Sequence, residues 1–256
     1  MNAMTTPPTP LRRAALRARQ RGISLYIIII LVLLSMLLAL WASRTALFNE
    51  MLVGNDADYR RTFEAAQAML QDAELDIRGL NPDGTLCVAD STNGDICRAT
   101  TPVYFDIEAK DLENLFTALD AQATKCVKGI CQKRTGPQDF WNKSADFVAM
   151  TAPGIGARYG QFTGAKTGTG GNPILNNVSE PSDPTQRRGA WYWVEVLPYV
   201  DPNISLLGGL PPGSNVELFA PSRKKLWVYR ITALARGLKP NTEVVLQSTL
   251  SLKTVE

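Results

Sequence analysis

The chain has 256 residues, of which 45% are hydrophobic and 20% charged, with 19 Gly, 16 Pro, 4 Cys and no His. Without histidine there is no Ser-His-Asp triad, no Cys-His pair, no two-His zincin motif and no His-bearing metal site. The formal charge of +3 is lopsided: Arg12, Arg13, Arg17, Arg19 and Arg21 all precede the first acid, Glu50, and the rest of the chain holds 22 basic against 24 acidic residues, which removes the motive for a nucleic-acid-binding body.

After the arginines, Ile23 to Ala42 is a 20-residue run without a charge, a proline or a glycine. At about 1.5 Å of rise per residue it spans roughly 30 Å as a helix, the thickness of a bilayer's hydrocarbon core. Its polar side chains are Ser24, Tyr26, Ser35 and Trp41, and both serine hydroxyls can bond back to carbonyls of the preceding turn. By the positive-inside rule the arginines stay in the cytoplasm and everything after Arg44 is placed on the far side of the membrane. A cleaved secretory signal fits poorly, because the run is too long and no A-x-A pattern closes it before Arg44. A plain signal anchor fits the hydropathy. A third reading rests on the junction Arg19-Gln20-Arg21-Gly22-Ile23-Ser24-Leu25, where a basic leader ends in one glycine just before the apolar helix.

That junction resembles the class III signal of type IV pilins and type II secretion pseudopilins. The resemblance implies cleavage by prepilin peptidase after Gly22 and a mature N-terminus at Ile23, which is then N-methylated; the apolar helix stays on the mature protein. Most such pilins carry glutamate at the fifth mature position, where this chain has Ile27. An unpartnered carboxylate in an apolar bundle is costly, so its absence suits a minor subunit better than a shaft subunit.

From Ala46 to Arg78 apolar residues recur at Leu47, Met51, Leu52, Tyr59, Phe63, Ala66, Met69, Leu70, Ala73 and Ile77, with Asp56, Arg60, Glu64 and Asp72 expected on the other face. Gly54 and Asn55 suggest a kink or brief unwinding. Gly79 and Asn81-Pro82-Asp83-Gly84 stop the helix. A coiled-coil stalk is the competing reading, but a/d heptads are not sustained. The stretch Arg61 to Glu74 (RTFEAAQAMLQDAE) resembles the alanine-rich run of the PilX group of type IV pilus assembly proteins. Tyr229 to Ala233 and Val244 to Thr249 are similar to that group's ending, and Phe140-Trp141 and Tyr192 to Glu195 sit where it carries an aromatic pair and a strand. The resemblance covers roughly residues 19–78 and 188–254.

Two alternating runs near the C-terminus read as strands. Leu226 to Arg236 places Trp227, Tyr229, Ile231, Ala233 and Ala235 on one face; Glu243 to Lys253 places Val244, Leu246, Leu250 and Leu252 on one face. The Gly237 to Thr242 segment has the chemistry of a hairpin turn. With Ala190 to Tyr199 and Pro102 to Glu108, a four-stranded antiparallel sheet is expected, its apolar face covered by the stripe on the stem helix. The expected fold is α+β and type IV pilin-like, divided into a leader (1–22), a transmembrane stem (23–44), an amphipathic half (45–79) and a globular domain (80–256) with a loop-rich insertion at about 125–188.

In the middle of the chain, from about Asp111 to Arg188, Asp111 to Thr124 suits a short helix with Leu112, Leu115, Phe116 and Leu119 on one face, and Ala152 to Asp183 reads as a surface loop. Phe140-Trp141 is read as core rather than an exposed binding spot. Gly164 to Gly171 lacks the spacing and strand-to-helix context of a phosphate loop. The even cysteine count suggests two bridges outside the cytoplasm, with local pairing, Cys87 to Cys97 and Cys126 to Cys131, expected over two other connectivities; a four-Cys zinc site fits the spacing poorly.

No catalytic motif, metal site or cofactor is expected. Asp106 with Glu108 reads as a solvated acid pair, no G-x-S-x-G elbow appears, and Arg187-Arg188 and Arg223-Lys224-Lys225 read as solvated strand entrances. The expected function is a minor pilin that primes type IV pilus assembly or sits at the filament tip, in a system for cell adhesion and twitching motility. Its expected partners are other minor pilins and the major pilin through the stem, prepilin peptidase, the inner-membrane assembly platform, and membrane lipid before assembly; nucleic acid is not expected. The alternatives are a type II secretion minor pseudopilin and, from another class, a single-pass envelope-anchored binding protein.

Overall fold

The computed structural model describes residues 21–105, 112–176, 183–198 and 227–252. The leader arginines at 12, 13, 17 and 19, the acid pair Asp106 and Glu108, and the cluster Arg223-Lys224-Lys225 lie outside the described residues. The chain divides into two compact units, Met1–Asn55 and Asp56–Glu256.

Helix α1 (Arg21–Arg78) supplies the described part of the first unit and opens the second. Helical geometry holds at Gly54 and Asn55, where an unwinding was expected. One glycine costs about 1 kcal/mol in a helix interior, and a helix already nucleated on both sides absorbs it, because propagation adds a hydrogen bond per residue fixed.

In the second unit α1 buries a stripe made of Asp58, Thr62, Ala65, Ala66, Met69, Asp72, Ala73, Asp76 and Ile77. The spacing is helical, as expected, but the stripe is rotated from the one the apolar residues outline. Tyr59 and Phe63 remain exposed, whereas Asp72, expected in solvent, is buried. Asp56, Arg60 and Glu64 do face outward, and Asp56 pairs with Arg60 at 2.9 Å one turn away. The alanines explain the choice of face: a ridge of small side chains lets the sheet approach the helix backbone more closely than Tyr59 or Phe63 would allow.

The sheet has five strands in the order β1 (Cys126–Val127), β2 (Ile130–Gln132), β3 (Gly189–Pro198), β4 (Trp227–Arg236) and β5 (Glu243–Ser251). β3, β4 and β5 form the expected antiparallel meander, with Trp193 opposite Thr232 and Thr232 opposite Gln247. Of the fourth expected strand, residues 102–105 are irregular, and 106–108 lie outside the described residues. Val103 and Phe105 are nevertheless buried, so their alternation reflects core packing without ladder pairing. The place beside β3 is taken by the β1–β2 hairpin, whose second strand runs parallel to it, Ile130 opposite Val194. The sheet is therefore mixed and five-stranded.

Both faces are covered. Ala190, Tyr192, Val194, Val196, Tyr229, Ile231, Ala233 and Ala235 pack with Ala66, Met69, Ala73 and Ile77 of α1 and with Leu115 and Leu119 of α2 (Leu112–Asp120). On the opposite face Trp191, Trp193 and Leu234 pack with Phe140, with Phe147 and Met150 of α3 (Ser144–Met150), and with the Cys126–Cys131 pair. This is why β3 is apolar at successive positions from Ala190 to Val194 and does not alternate there. The aromatic residue Phe140 is core, stacked edge-on to Trp193 with ring centroids 4.9 Å apart. The region 152–176, expected to run over the surface, instead sends Ala157, Phe162 and Ile174 into the core. A glycine of the β1–β2 turn allows its close approach: Gly129, at φ 83°, faces Ala157 so tightly that a Cβ would come within 2.6 Å of the alanine's.

Candidate functional site

In the first unit the functional surface is the helix itself. Every residue from Ile23 to Val53 is exposed, and the helix contains a stretch of mean hydropathy 3.0, long and apolar enough to cross a membrane. Ser35 Oγ donates to the Val32 carbonyl at 2.8 Å and Thr45 Oγ1 to Trp41 at 3.0 Å, so these hydroxyls are satisfied within the helix and need no water. Gly22 is helical, as is Ile23, which is 66% exposed. Ile27, where a carboxylate was noted to be missing, presents an exposed apolar side chain.

In the second unit the stem is fastened to the sheet by three buried aspartates. Asp58 accepts from the backbone N–H groups of Leu238 (3.1 Å) and Lys239 (3.0 Å) in the β4–β5 turn. Gly237 opens that turn, and a Cβ there would strike Asp58 Oδ2 and Thr62 Oγ1, so only glycine lets the turn seat on the helix. Asp72 accepts from Thr163 Oγ1 and from Gly160 N (2.8 Å). Burial pushes its carboxyl up to about 6; the two donors pull the other way without prevailing, and the nearby Asp76 charge adds to the rise. Asp76 is gripped by Arg98 through Nε at 2.9 Å and Nη2 at 2.6 Å, and receives the Tyr192 hydroxyl at 2.6 Å. Burial pushes the Tyr192 phenol well up, and the Asp76 charge pushes it further.

Arg98 stands between the rings of Phe162 (3.7 Å) and Phe105 (4.8 Å) and donates to the Lys128 carbonyl at 3.1 Å. It thus joins the stem, the sheet and the β1–β2 turn in one contact. Burial lowers the guanidinium's proton affinity, but Asp76 more than restores it. Residue patterns had pointed to none of these pairings. The available signal was the spacing of Asp58, Asp72 and Asp76 at near-multiples of the helical repeat, which places all three on one face.

The cysteines pair locally, as expected: Cys87 with Cys97, Cα atoms 5.6 Å apart, and Cys126 with Cys131. The second bridge joins directly opposed residues of the β1–β2 hairpin and lies under Trp193. The first ties the chain after α1 to the segment carrying Arg98. Among the described residues no group of three or more His, Cys, Asp or Glu could hold a metal. The pair Arg187-Arg188, expected as a solvated strand entrance, is not fully solvated: Arg187 is 9% exposed, with Nη1 bonded to the Val148 carbonyl and Thr151 Oγ1.

Neither the curated proteins nor the solved structures give a match to this chain. Residues 127–252, from the β1–β2 hairpin to the end of β5, match the family model described as Type IV pilus assembly protein PilX C-term. That segment holds almost all of the sheet, including the Tyr192 that meets Asp76, and it carries the PilX-type C-terminal domain of type IV pilus assembly proteins.

Proposed function

We propose that the protein is a minor pilin, made as a prepilin with a cytoplasmic leader, cleaved after Gly22 by prepilin peptidase, and held in the inner membrane until its stem enters a pilus. It works by assembly and not by catalysis. The observation that carries this reading is the fully exposed apolar surface of α1 from Ile23 to Val53 in a chain whose C-terminal half carries the PilX domain. Such a surface needs an apolar environment, and both a bilayer and a bundle of sister stems provide one. The globular domain stays in the periplasm, as the arginine-rich leader favours, and primes the filament or sits at its tip; adhesion and twitching follow from the pilus it helps to build.

Its partners in this reading are the major and minor pilins through the stem, prepilin peptidase and the assembly platform. The missing acid at Ile27 supports a minor role, since no carboxylate is present to meet a neighbour's terminal amine. The test is N-terminal sequencing and mass spectrometry of the mature chain, combined with analysis of sheared filaments. The expected result is an N-methylated Ile23 terminus and recovery in the pilus fraction, with Gly22→Val blocking both. An uncut chain absent from filaments, with piliation unaffected by Gly22→Val, leaves an envelope-anchored protein instead; recovery with secretion-system filaments leaves a pseudopilin.

A further inference from the structure

The arginines that the assembly function does not use converge on one cleft. It lies between the 3₁₀ turn Pro184–Gln186 and the β4–β5 turn, has a volume of about 350 Å³, and is lined by Arg187, Arg188, Arg236, Thr185, Asn241 and Thr242 among others. Its cations are held in place chiefly by neutral oxygens. Arg236 donates through Nη1 to the Thr185 carbonyl at 2.8 Å and rests on the Phe147 ring at 3.5 Å; Arg188 donates to the Leu238 carbonyl; and Arg187 donates to Val148 and Thr151. The carboxylate on this cleft is Glu243, which meets Arg236 Nε at 2.7 Å.

Carbonyl anchors fix the direction of a guanidinium without cancelling its charge. Three arginines and Lys239 on the wall, against Glu243 on it and Asp183 bonded to Thr185, therefore leave an oriented positive excess. Arg187 is the most costly of them: it is buried, its Nε has no hydrogen-bond acceptor, and no carboxylate touches it among the described residues. A buried cation without a counter-charge is expensive, and an anion seated in the cleft offsets that cost. The guanidinium fork matches the oxygens of a phosphate group, and the hydroxyl of Thr242 and the amide of Asn241 complete a polar wall, while the Thr185 hydroxyl is already donated to Asp183 Oδ1 at 2.7 Å. Among the described residues no aromatic side chain lines the cleft, so they offer no platform for stacking bases.

We infer that this cleft binds a phosphate group, either as the free anion or as the phosphate ester of a lipid headgroup. The headgroup is a candidate source on the membrane-anchored reading, which keeps the chain at a lipid surface until assembly. The phosphate site itself does not depend on that reading.

The test uses the full chain in neutral detergent micelles, with unfolding followed by tryptophan fluorescence, since Trp191 and Trp193 lie in the core. Inorganic phosphate is titrated against chloride at equal ionic strength. The expected result is a saturable rise in the unfolding midpoint with phosphate only, with the apparent affinity about ten-fold weaker in Arg188→Gln. Arg187→Gln should abolish the response; if that variant does not fold, the half-exposed Arg188 still decides. A second arm compares nanodiscs of phosphatidylcholine with nanodiscs of phosphatidylglycerol: stabilisation by phosphatidylglycerol that Arg188→Gln removes assigns the headgroup, and a response to inorganic phosphate alone assigns the free anion. A midpoint that phosphate moves no more than chloride overturns the site, as does an Arg188→Gln variant that responds like the parent. Tighter binding of duplex DNA than of phosphate, unchanged in Arg188→Gln, overturns it in favour of a nucleic-acid track.

Discussion

Asp72 is the side chain at which the fold is most sensitive to acidity. Its folded-state pKa of about 6 stands above the ordinary 3.8, so the native state binds this proton more tightly than the unfolded chain does. The sign follows by linkage: the contribution is fully present below about pH 3.8 and is lost as pH rises through 6, a swing of roughly 3 kcal/mol. Asp72→Asn keeps an acceptor for Gly160 and a partner for Thr163 and removes the titration. We expect chemical denaturation between pH 4 and 7.5 to show the parent losing stability relative to this variant as pH rises; parallel profiles would contradict the assignment. At Asp76 the expected effect is of a different kind. Arg98→Leu leaves a buried carboxylate with only the Tyr192 hydroxyl, and should cost about 3–5 kcal/mol; Tyr192→Phe removes one charge-assisted hydrogen bond and should cost about 1.5–3 kcal/mol. Equal losses in the two variants by urea denaturation would show that Arg98 is not the principal counter-charge.

Among the elements, the β1–β2 hairpin is the smallest and the most dependent on covalent help, because its two strands have two and three residues. The Cys126–Cys131 bridge closes a short loop, worth about 2 kcal/mol in the chain-entropy account, against about 3 for Cys87–Cys97. The paired serine variants should lose stability in that order, and the first should also alter the near-ultraviolet signal of Trp193, which lies against the bridge. For the stem, Leu33→Arg places a charge mid-span and should weaken membrane insertion by about 3 kcal/mol, seen as loss from the membrane pellet.

Legibility from the residues also differs by element. The meander β3–β4–β5, the helix 112–120 and the local cysteine pairing follow from alternation, helical spacing and proximity in the chain, which are all local properties. The hairpin that takes the place beside β3 could not be read that way. Its five strand residues are too few for a period to show, and its partner is β3, about 60 residues away in sequence. The same limit hid the Asp76–Arg98–Tyr192 contact: each residue type is ordinary, and only tertiary folding brings them within 3 Å.

At the scale of the whole molecule, charge is divided along the chain rather than spread over it. On the proposed processing, loss of residues 1–22 removes five arginines and no acid, taking the formal charge from +3 to a body of 22 basic and 24 acidic residues. Isoelectric focusing should therefore move the mature form to the acid side of the precursor; an unchanged position would mean that the leader is retained.

The three aspartate contacts have a mechanical corollary. Asp58, Asp72 and Asp76 lie at successive heights on one helix, and each grips a different part of the head: the β4–β5 turn, the 160–163 segment, and Arg98 with β3. A tensile load drawn along that helix strains all three grips together, in shear, together with the alanine ridge between them. Such an attachment resists pulling far better than one in which bonds break in succession from one end. On the proposed assembly, tugging on the filament axis should sooner draw out the chain elsewhere than peel the head from its stem.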